Sequence, residues 1–191
     1  MAKLKLGVIV GSNRRESINR KLAEALVKLG ADAFDANFIQ IDDLPMFNQD
    51  NEQPAPSVVA RFKSEVAGSD ALLFVTPEHS RSIPAVLKNA IDWGGRPYGT
   101  SVWPGKPAAI IGASPGAIST AVAQSHLRSV LGSFSGLHVV GGEAYIQFKP
   151  EMIDGDANVP DETVRGFLKA FVGRFADFAT RLAPREKQAA A

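Results

Sequence analysis

The sequence predicts a three-layer α/β fold: one doubly wound, five-stranded parallel sheet in the order 2-1-3-4-5, with helices on both faces. Three observations carry this. Apolar strand-like runs alternate with helix-period segments about five times along the chain. The first and third runs, Leu4 to Val10 and Asp70 to Thr76, are almost wholly apolar, as strands covered on both faces must be. The chain has 191 residues, which suits one domain.

Each element follows from its pattern. Leu4 to Val10 is the first strand. Ile18, Leu22, Ala25, Leu26 and Leu29 recur at helical spacing. Phe38-Ile39-Gln40-Ile41 reads as a short second strand. Asp42 to Pro56 is polar, holds three prolines and reads as a long loop. Ser57 opens a helix that carries Val58, Val59, Phe62 and Val66. Asp70 to Thr76 is the third strand. Pro84 to Trp93 is helical, with proline in a tolerated first-turn position. Ala108 to Ala113 is the fourth strand, Ser119 to Phe134 a helix, and Leu137 to Val140 the start of a fifth strand. Val164, Phe167, Leu168, Phe171, Val172, Phe175, Phe178 and Leu182 form one apolar stripe, the mark of a core-packed final helix. Residues 1–182 are thus expected to form a single flavodoxin-like domain. Residues 183–191 carry no pattern and are expected to be a disordered tail. Sheets of this kind bind ligands beyond the carboxyl ends of their strands, at the topological switch point. The loops after strands one, three and four are where chemistry belongs.

Composition narrows the chemistry. There is no cysteine, so disulfides, thiolate metal sites and cysteine nucleophiles are excluded, in keeping with a reducing cytoplasm. The 21 basic and 20 acidic side chains leave no electrostatic footprint for nucleic acid or an anionic membrane. No apolar run approaches the ~20 residues of a membrane span. Asn13-Arg14-Arg15 stands where a signal peptide would need small residues.

The first loop, Gly11 to Asn19, leaves a buried strand and enters a helix, with Ser17 placed as N-cap. It lacks both the dinucleotide fingerprint and the Gly-Lys-Ser/Thr of a Walker loop. It does offer two hydroxyls, two amides, two guanidiniums and helix N-terminal N–H groups. That set suits a phosphate monoester; the alternative is an ordinary turn with solvated arginines. The second loop, Thr76 to Pro84, is stiffened by two prolines and can present fixed backbone groups to a flat polar ring. Its Glu78-His79 pair has no metal-ligand spacing, and no metal site is expected. The third loop, Gly112-Ala113-Ser114-Pro115-Gly116, matches the G-x-S-x-G of a hydrolase nucleophile elbow. Pro115, however, lacks the N–H that an oxyanion hole needs after the nucleophile. No acid lies between Ser114 and the downstream histidines. A tight turn that admits a ligand to the backbone is the better account.

Together these loops resemble the NADPH-dependent FMN reductase family, in its chromate and quinone reductase branch. The resemblance runs from Leu6 to about Tyr145. It rests on Gly11-Ser12-x-Arg14-x-x-Ser17-x-Asn19, on Pro77-Glu78, on Ser82-Ile83-Pro84-x-x-Leu87-Lys88-Asn89-Ala90-Ile91-Asp92-Trp93, and on Gly105-Lys106-Pro107. It implies a flavodoxin-like fold with non-covalent FMN. Ser12, Arg14 and Ser17, with the backbone at Asn13, Ile18 and Asn19, would hold the phosphate. Pro77, Glu78, His79 and Ser80 would line the isoalloxazine, and Ser114, Pro115 and Gly116 its pyrimidine side. It also implies a homodimer or homotetramer, and electron flow from NADPH or NADH to small acceptors: quinones, flavins, azo compounds or metal anions such as chromate. The chain departs from the family in one place. The family's Pro-Glu-Tyr-Asn is Pro-Glu-His-Ser here, at Pro77 to Ser80.

Hydride transfer is the flavin's own chemistry, so no catalytic side chain is expected. The expected order is ping-pong, with the nicotinamide leaving before the acceptor enters. Arg81 and Arg96 are candidate acceptor-side charges, or else solvated surface arginines. Two other classes compete: a flavodoxin-type electron carrier, and a serine hydrolase built on Ser114. Flavodoxin-type carriers are strongly acidic, whereas this chain is balanced.

Overall fold

A computed structural model describes residues 2–182. Five parallel strands run β2 (Phe34–Phe38), β1 (Leu4–Val10), β3 (Ala71–Val75), β4 (Pro107–Ser114) and β5 (His138–Val139). This is the order that the sequence predicts. The helices are α1 (Ile18–Leu29), α2 (Ser57–Ala67), α3 (Ala85–Gly95), α4 (Ala121–Ser129) and α5 (Glu162–Leu182). A π-helical turn, Val130–Phe134, continues α4.

Alternation along the strands divides the core in two. Leu6, Val8, Leu73, Val75, Ala109 and Ile111 face α1 and α5, packing on Leu22, Leu26, Leu168, Phe171 and Phe175. Ile9, Leu72, Phe74, Ala108 and Ile110 face the other way, onto Val59, Phe62, Val66, Leu87, Ile91 and Leu127. Every residue of β3 is buried, as its unbroken apolar run requires. The stripe on α5 is core: Leu168, Phe171, Val172 and Phe175 are buried, while Phe167 is exposed.

Three expectations need correction. The second strand is Phe34–Phe38, not Phe38 to Ile41. It is an edge strand, so polar Asp35 and Asn37 sit between Phe34, Ala36 and Phe38, and the apolar run is hidden by alternation. Ile39 and Ile41 are buried without belonging to a strand. The helix after β4 begins at Ala121, later than Ser119. The sheet also has a sixth strand, β6 (Tyr145–Gln147), where the sequence predicts five. It pairs with the far half of β4, Gly112 to Ser114, while β5 pairs with the near half, Pro107 and Ala108. The fifth sheet position is therefore filled by two short segments. The expected tail at 183–191 lies outside the described residues.

The long motif behind the resemblance holds the Asp42–Pro56 loop in place. Asn89, buried in α3, accepts from the Phe47 N–H at 2.7 Å and donates to the Pro45 carbonyl at 3.0 Å. Trp93 Nε1 also donates to Pro45, at 2.7 Å. Gly94 lies flat against the Trp103 indole, where a Cβ would sit 2.2 Å from the ring. Trp103 Nε1 in turn donates to the Ile91 carbonyl at 3.0 Å.

Candidate functional site

The three loops converge at the carboxyl ends of β1, β3 and β4. They enclose a cavity of about 130 Å³. The first loop lines it with Ser12, Arg14, Ser17, Ile18 and Asn19; the second with Pro77 and Glu78; the third with Ala113, Ser114 and Pro115. Nine of the thirteen expected site residues thus meet in one place. Asn13 lines a neighbouring, larger cleft. His79, Ser80 and Gly116 line neither cavity but lie on the same two loops. Ala113 is the lining residue that sequence reasoning misses, because alanine carries no chemical signal.

Ser17 is the N-cap of α1. It has extended backbone, and its hydroxyl accepts from the Arg20 N–H at 3.2 Å. The next two N–H groups, of Ile18 and Asn19, have no acceptor among the described residues. They are the orphan donors of a helix start, and they carry the positive end of its dipole. The Asn19 side chain has a separate role. Its Nδ2 donates to the Ala113 carbonyl at 2.9 Å and its Oδ1 accepts the Ala113 N–H at 2.9 Å. β3 leaves the sheet at Thr76, whose N–H reaches Ile111 on β4. Two residues further along β4, Ala113 has no β3 residue beside it, and the Asn19 carboxamide supplies both partners. One buried amide thus locks the first loop to the third.

The second loop turns back on itself. His79 and Ser82 exchange backbone hydrogen bonds of 3.0 and 2.9 Å, closing a two-residue turn. Its central residues Ser80 (φ 49°) and Arg81 (φ 62°) are both left-handed, the type I′ arrangement. Asparagine is favoured at the first of these positions, so the family's Asn there has a backbone reason. Glu78 is neither acid nor base here. Its Oε2 accepts from the N–H groups of Val122 and Ala123 at 3.0 and 3.1 Å, capping α4 from 44 residues away. Its Oε1 accepts from Arg81 at 3.2 Å. Thr120, the residue before α4, gives no side-chain cap, so Glu78 fills that role. Arg96 lies beyond α3, paired with Glu52 at 2.6 Å and stacked over Tyr98. Arg81 is mostly exposed beside Glu78.

The third loop is tight for a visible reason. A Cβ on Gly112 would lie 2.1 Å from the Thr76 carbonyl oxygen and 2.4 Å from Thr120 Oγ1. Ser114 Oγ accepts from the Gly116 N–H at 3.1 Å, and no imidazole bonds to it. The imidazole of His126 is with the Ser82 hydroxyl instead, at 3.1 Å. Ser114 therefore has no base to activate it, which removes the geometric basis of the hydrolase alternative. Among the described residues no cluster of three or more histidine or carboxylate side chains is placed to hold a metal. No helix among them is long and apolar enough to cross a membrane.

Fold and site define a flavodoxin-like protein with a loop rich in hydrogen-bond donors at the switch point of its sheet. The family model described as NADPH-dependent FMN reductase matches residues 4–151, and the chain belongs to that family. It is similar to a Burkholderia protein named 2-hydroxy-1,4-benzoquinone reductase, 47% identical over 91% of this chain and 94% of that one. A Pseudomonas putida protein named quinone reductase is 45% identical over 91% of this chain and 93% of that one. Among solved structures it is similar to FerB, a flavoenzyme NAD(P)H:(acceptor) oxidoreductase from Paracoccus denitrificans. That match has a TM-score of 0.92 and 42% identity, and covers 95% of this chain and all of that one.

Proposed function

We propose that the protein is an FMN-dependent NAD(P)H oxidoreductase whose acceptors are small quinones. The observation that carries this is the cavity where the three loops meet. Its size, about 130 Å³, is too small for a whole flavin and suits the phosphate end and its linker. The N–H groups of Ile18 and Asn19, the hydroxyls of Ser12 and Ser17 and the Arg14 guanidinium form a donor set for a dianion. Such a set fits FMN and gives no reason to prefer a dinucleotide flavin.

When bound, FMN supplies two-electron transfer between nicotinamide and quinone. The chain's own residues bind and orient. Ser12, Arg14, Ser17 and the α1 N-terminus hold the phosphate. Backbone groups from Pro77 to Ser80 face the ring edge, fixed by the Glu78 cap and the His79–Ser82 turn. Ser114 to Gly116 close the other side, fixed by Asn19. The donor and the acceptor would use one shared site on the flavin in turn, which would give ping-pong kinetics. The relatives named quinone reductase support quinones as acceptors. Flavins, azo compounds and chromate remain within the same proposal as further acceptors. A cytoplasmic homodimer or homotetramer, its flavin near a subunit boundary, completes the proposal.

The test is steady-state kinetics with NADPH and 1,4-benzoquinone. Turnover that requires FMN, with parallel double-reciprocal lines, is expected. Intersecting lines contradict the shared site. Absence of FMN-dependent nucleotide oxidation contradicts the function itself.

A further inference from the structure

Beside the small cavity lies a wider cleft of about 530 Å³ at the carboxyl ends of β1 and β2. Its volume is that of a small-molecule site. It shares Ser12 and Arg14 with the small cavity, so whatever enters it lies next to the proposed phosphate site. Arg14, Arg15 and Arg20 all line it. Arg20 is fixed in advance: it pairs with Glu24 at 2.7 Å and lies 3.7 Å over the Phe38 ring. The guanidiniums of Arg14 and Arg15 make no hydrogen bond or ion pair among the described residues. Asp42 is the single carboxylate in the lining, and Glu24 is committed to Arg20. The cleft therefore carries net positive charge. It also offers apolar wall from Ile39, Ile41 and Val86.

We propose that this cleft takes the adenosine end of the electron donor and recognises its 2′-phosphate, so that Arg15 and Arg20 set a preference for NADPH over NADH. A heteroaromatic ring carrying a phosphate monoester matches apolar wall beside guanidiniums, since planar forks bind phosphate bidentately. The logic is the one by which arginine near a second strand accommodates a 2′-phosphate where an acidic residue would select the free ribose. Here the residue two past the end of β2 is Gln40, not an acid. The inference rests on the oxidoreductase proposal and adds the donor's identity to it. An anionic acceptor is the other source of negative charge for the same guanidiniums, and the two are separable.

The experiment compares FMN-loaded wild type with Arg15→Ala, Arg15→Glu and Arg20→Ala. Calorimetric titration with adenosine 2′,5′-bisphosphate and with 5′-AMP reads the cleft without turnover. Wild type should bind the bisphosphate about tenfold more tightly, and Arg15→Glu should abolish that difference. In kinetics, KM for NADPH should rise about tenfold in the variants, with KM for NADH within about twofold of wild type. Melting curves separate a folding defect in Arg20→Ala from a binding one, and Arg15, being exposed, gives the answer in either case. Equal effects on the two nucleotides, or unchanged bisphosphate binding, overturn the proposal. So does a KM change confined to an anionic quinone. A wild type that oxidises neither nucleotide contradicts the oxidoreductase proposal. The bisphosphate titration then decides by itself whether the cleft recognises a 2′-phosphate.

Discussion

Replacing Asn19 with alanine tests the connection that holds the site together. The substitution deletes two buried hydrogen bonds of 2.9 Å and leaves the Ala113 N–H and C=O without partners. Each buried orphan costs about 1–3 kcal/mol, so the pair costs about 2–6 kcal/mol. For a domain of this size each kcal/mol lowers Tm by about 2–4 °C, which places the variant roughly 4–24 °C below wild type. The assay is thermal unfolding of the FMN-free protein, followed by circular dichroism. Asn13→Ala, on the exposed part of the same loop, is the control and should stay within about 0.5 kcal/mol of wild type. FMN affinity should fall in Asn19→Ala as well, because the Gly11–Asn19 loop and the Ser114 loop are no longer fastened to each other. Asn19→Asp should be poor too, since a carboxylate keeps the bond from the Ala113 N–H but turns an acceptor toward the Ala113 carbonyl. A variant that melts within about 2 °C of wild type would show that the lock contributes nothing, and the account of the site's rigidity would be wrong.

Three further outcomes follow from the same structure. Arg14→Ala should weaken FMN by about ten- to a hundredfold, as loss of a charge-assisted bond of about 1.5–3 kcal/mol implies, and riboflavin by much less; equal losses in fluorescence titrations would place Arg14 away from the phosphate. The double change His79→Tyr, Ser80→Asn keeps the left-handed turn, which asparagine favours, so FMN affinity should hold, while the changed side chains beside the ring should shift the ratio of rates with a neutral and an anionic quinone; a collapse of FMN binding with an unchanged ratio would show that these two residues only support the cofactor. Asp154 accepts from the Asn158 side chain and backbone, which hold its carboxyl below the usual carboxylate range. Its contribution is therefore fully present above the unfolded value of about 3.9 and is lost as pH falls through the lowered folded value. The Tm gap between wild type and Asp154→Ala should be constant above about pH 5 and close in strong acid, and a gap that widens on acidification contradicts the assignment.

What the sequence made legible was whatever periodicity or a local motif encodes. β1, β3 and α5 show unbroken apolar runs or a helical stripe, and the strand order follows from their alternation with helices. The three site loops follow from the same rule, as the strand ends nearest the switch point. The rest depends on contacts between distant residues. Glu78 is expected only as part of a loop lining the flavin ring, yet its carboxylate partners are N–H groups 44 and 45 positions away. Asn19 stands in a phosphate-type loop, but its carboxamide is committed to a strand 94 positions on. The split fifth position, β5 and β6, is hidden because segments of two and three residues are too short to show alternation. The turn at Ser80 and Arg81 has neither glycine nor asparagine to announce it.

The central claim is that the three loops form an FMN site open to NADPH. Its most direct measurement is the visible spectrum of the purified protein, titrated with FMN and then given NADPH under anaerobic conditions. The account predicts saturation at one FMN per chain, bleaching of the flavin absorbance by NADPH, and recovery on addition of benzoquinone. A protein that stays colourless after FMN addition, or that holds FMN unchanged by NADPH, would contradict it.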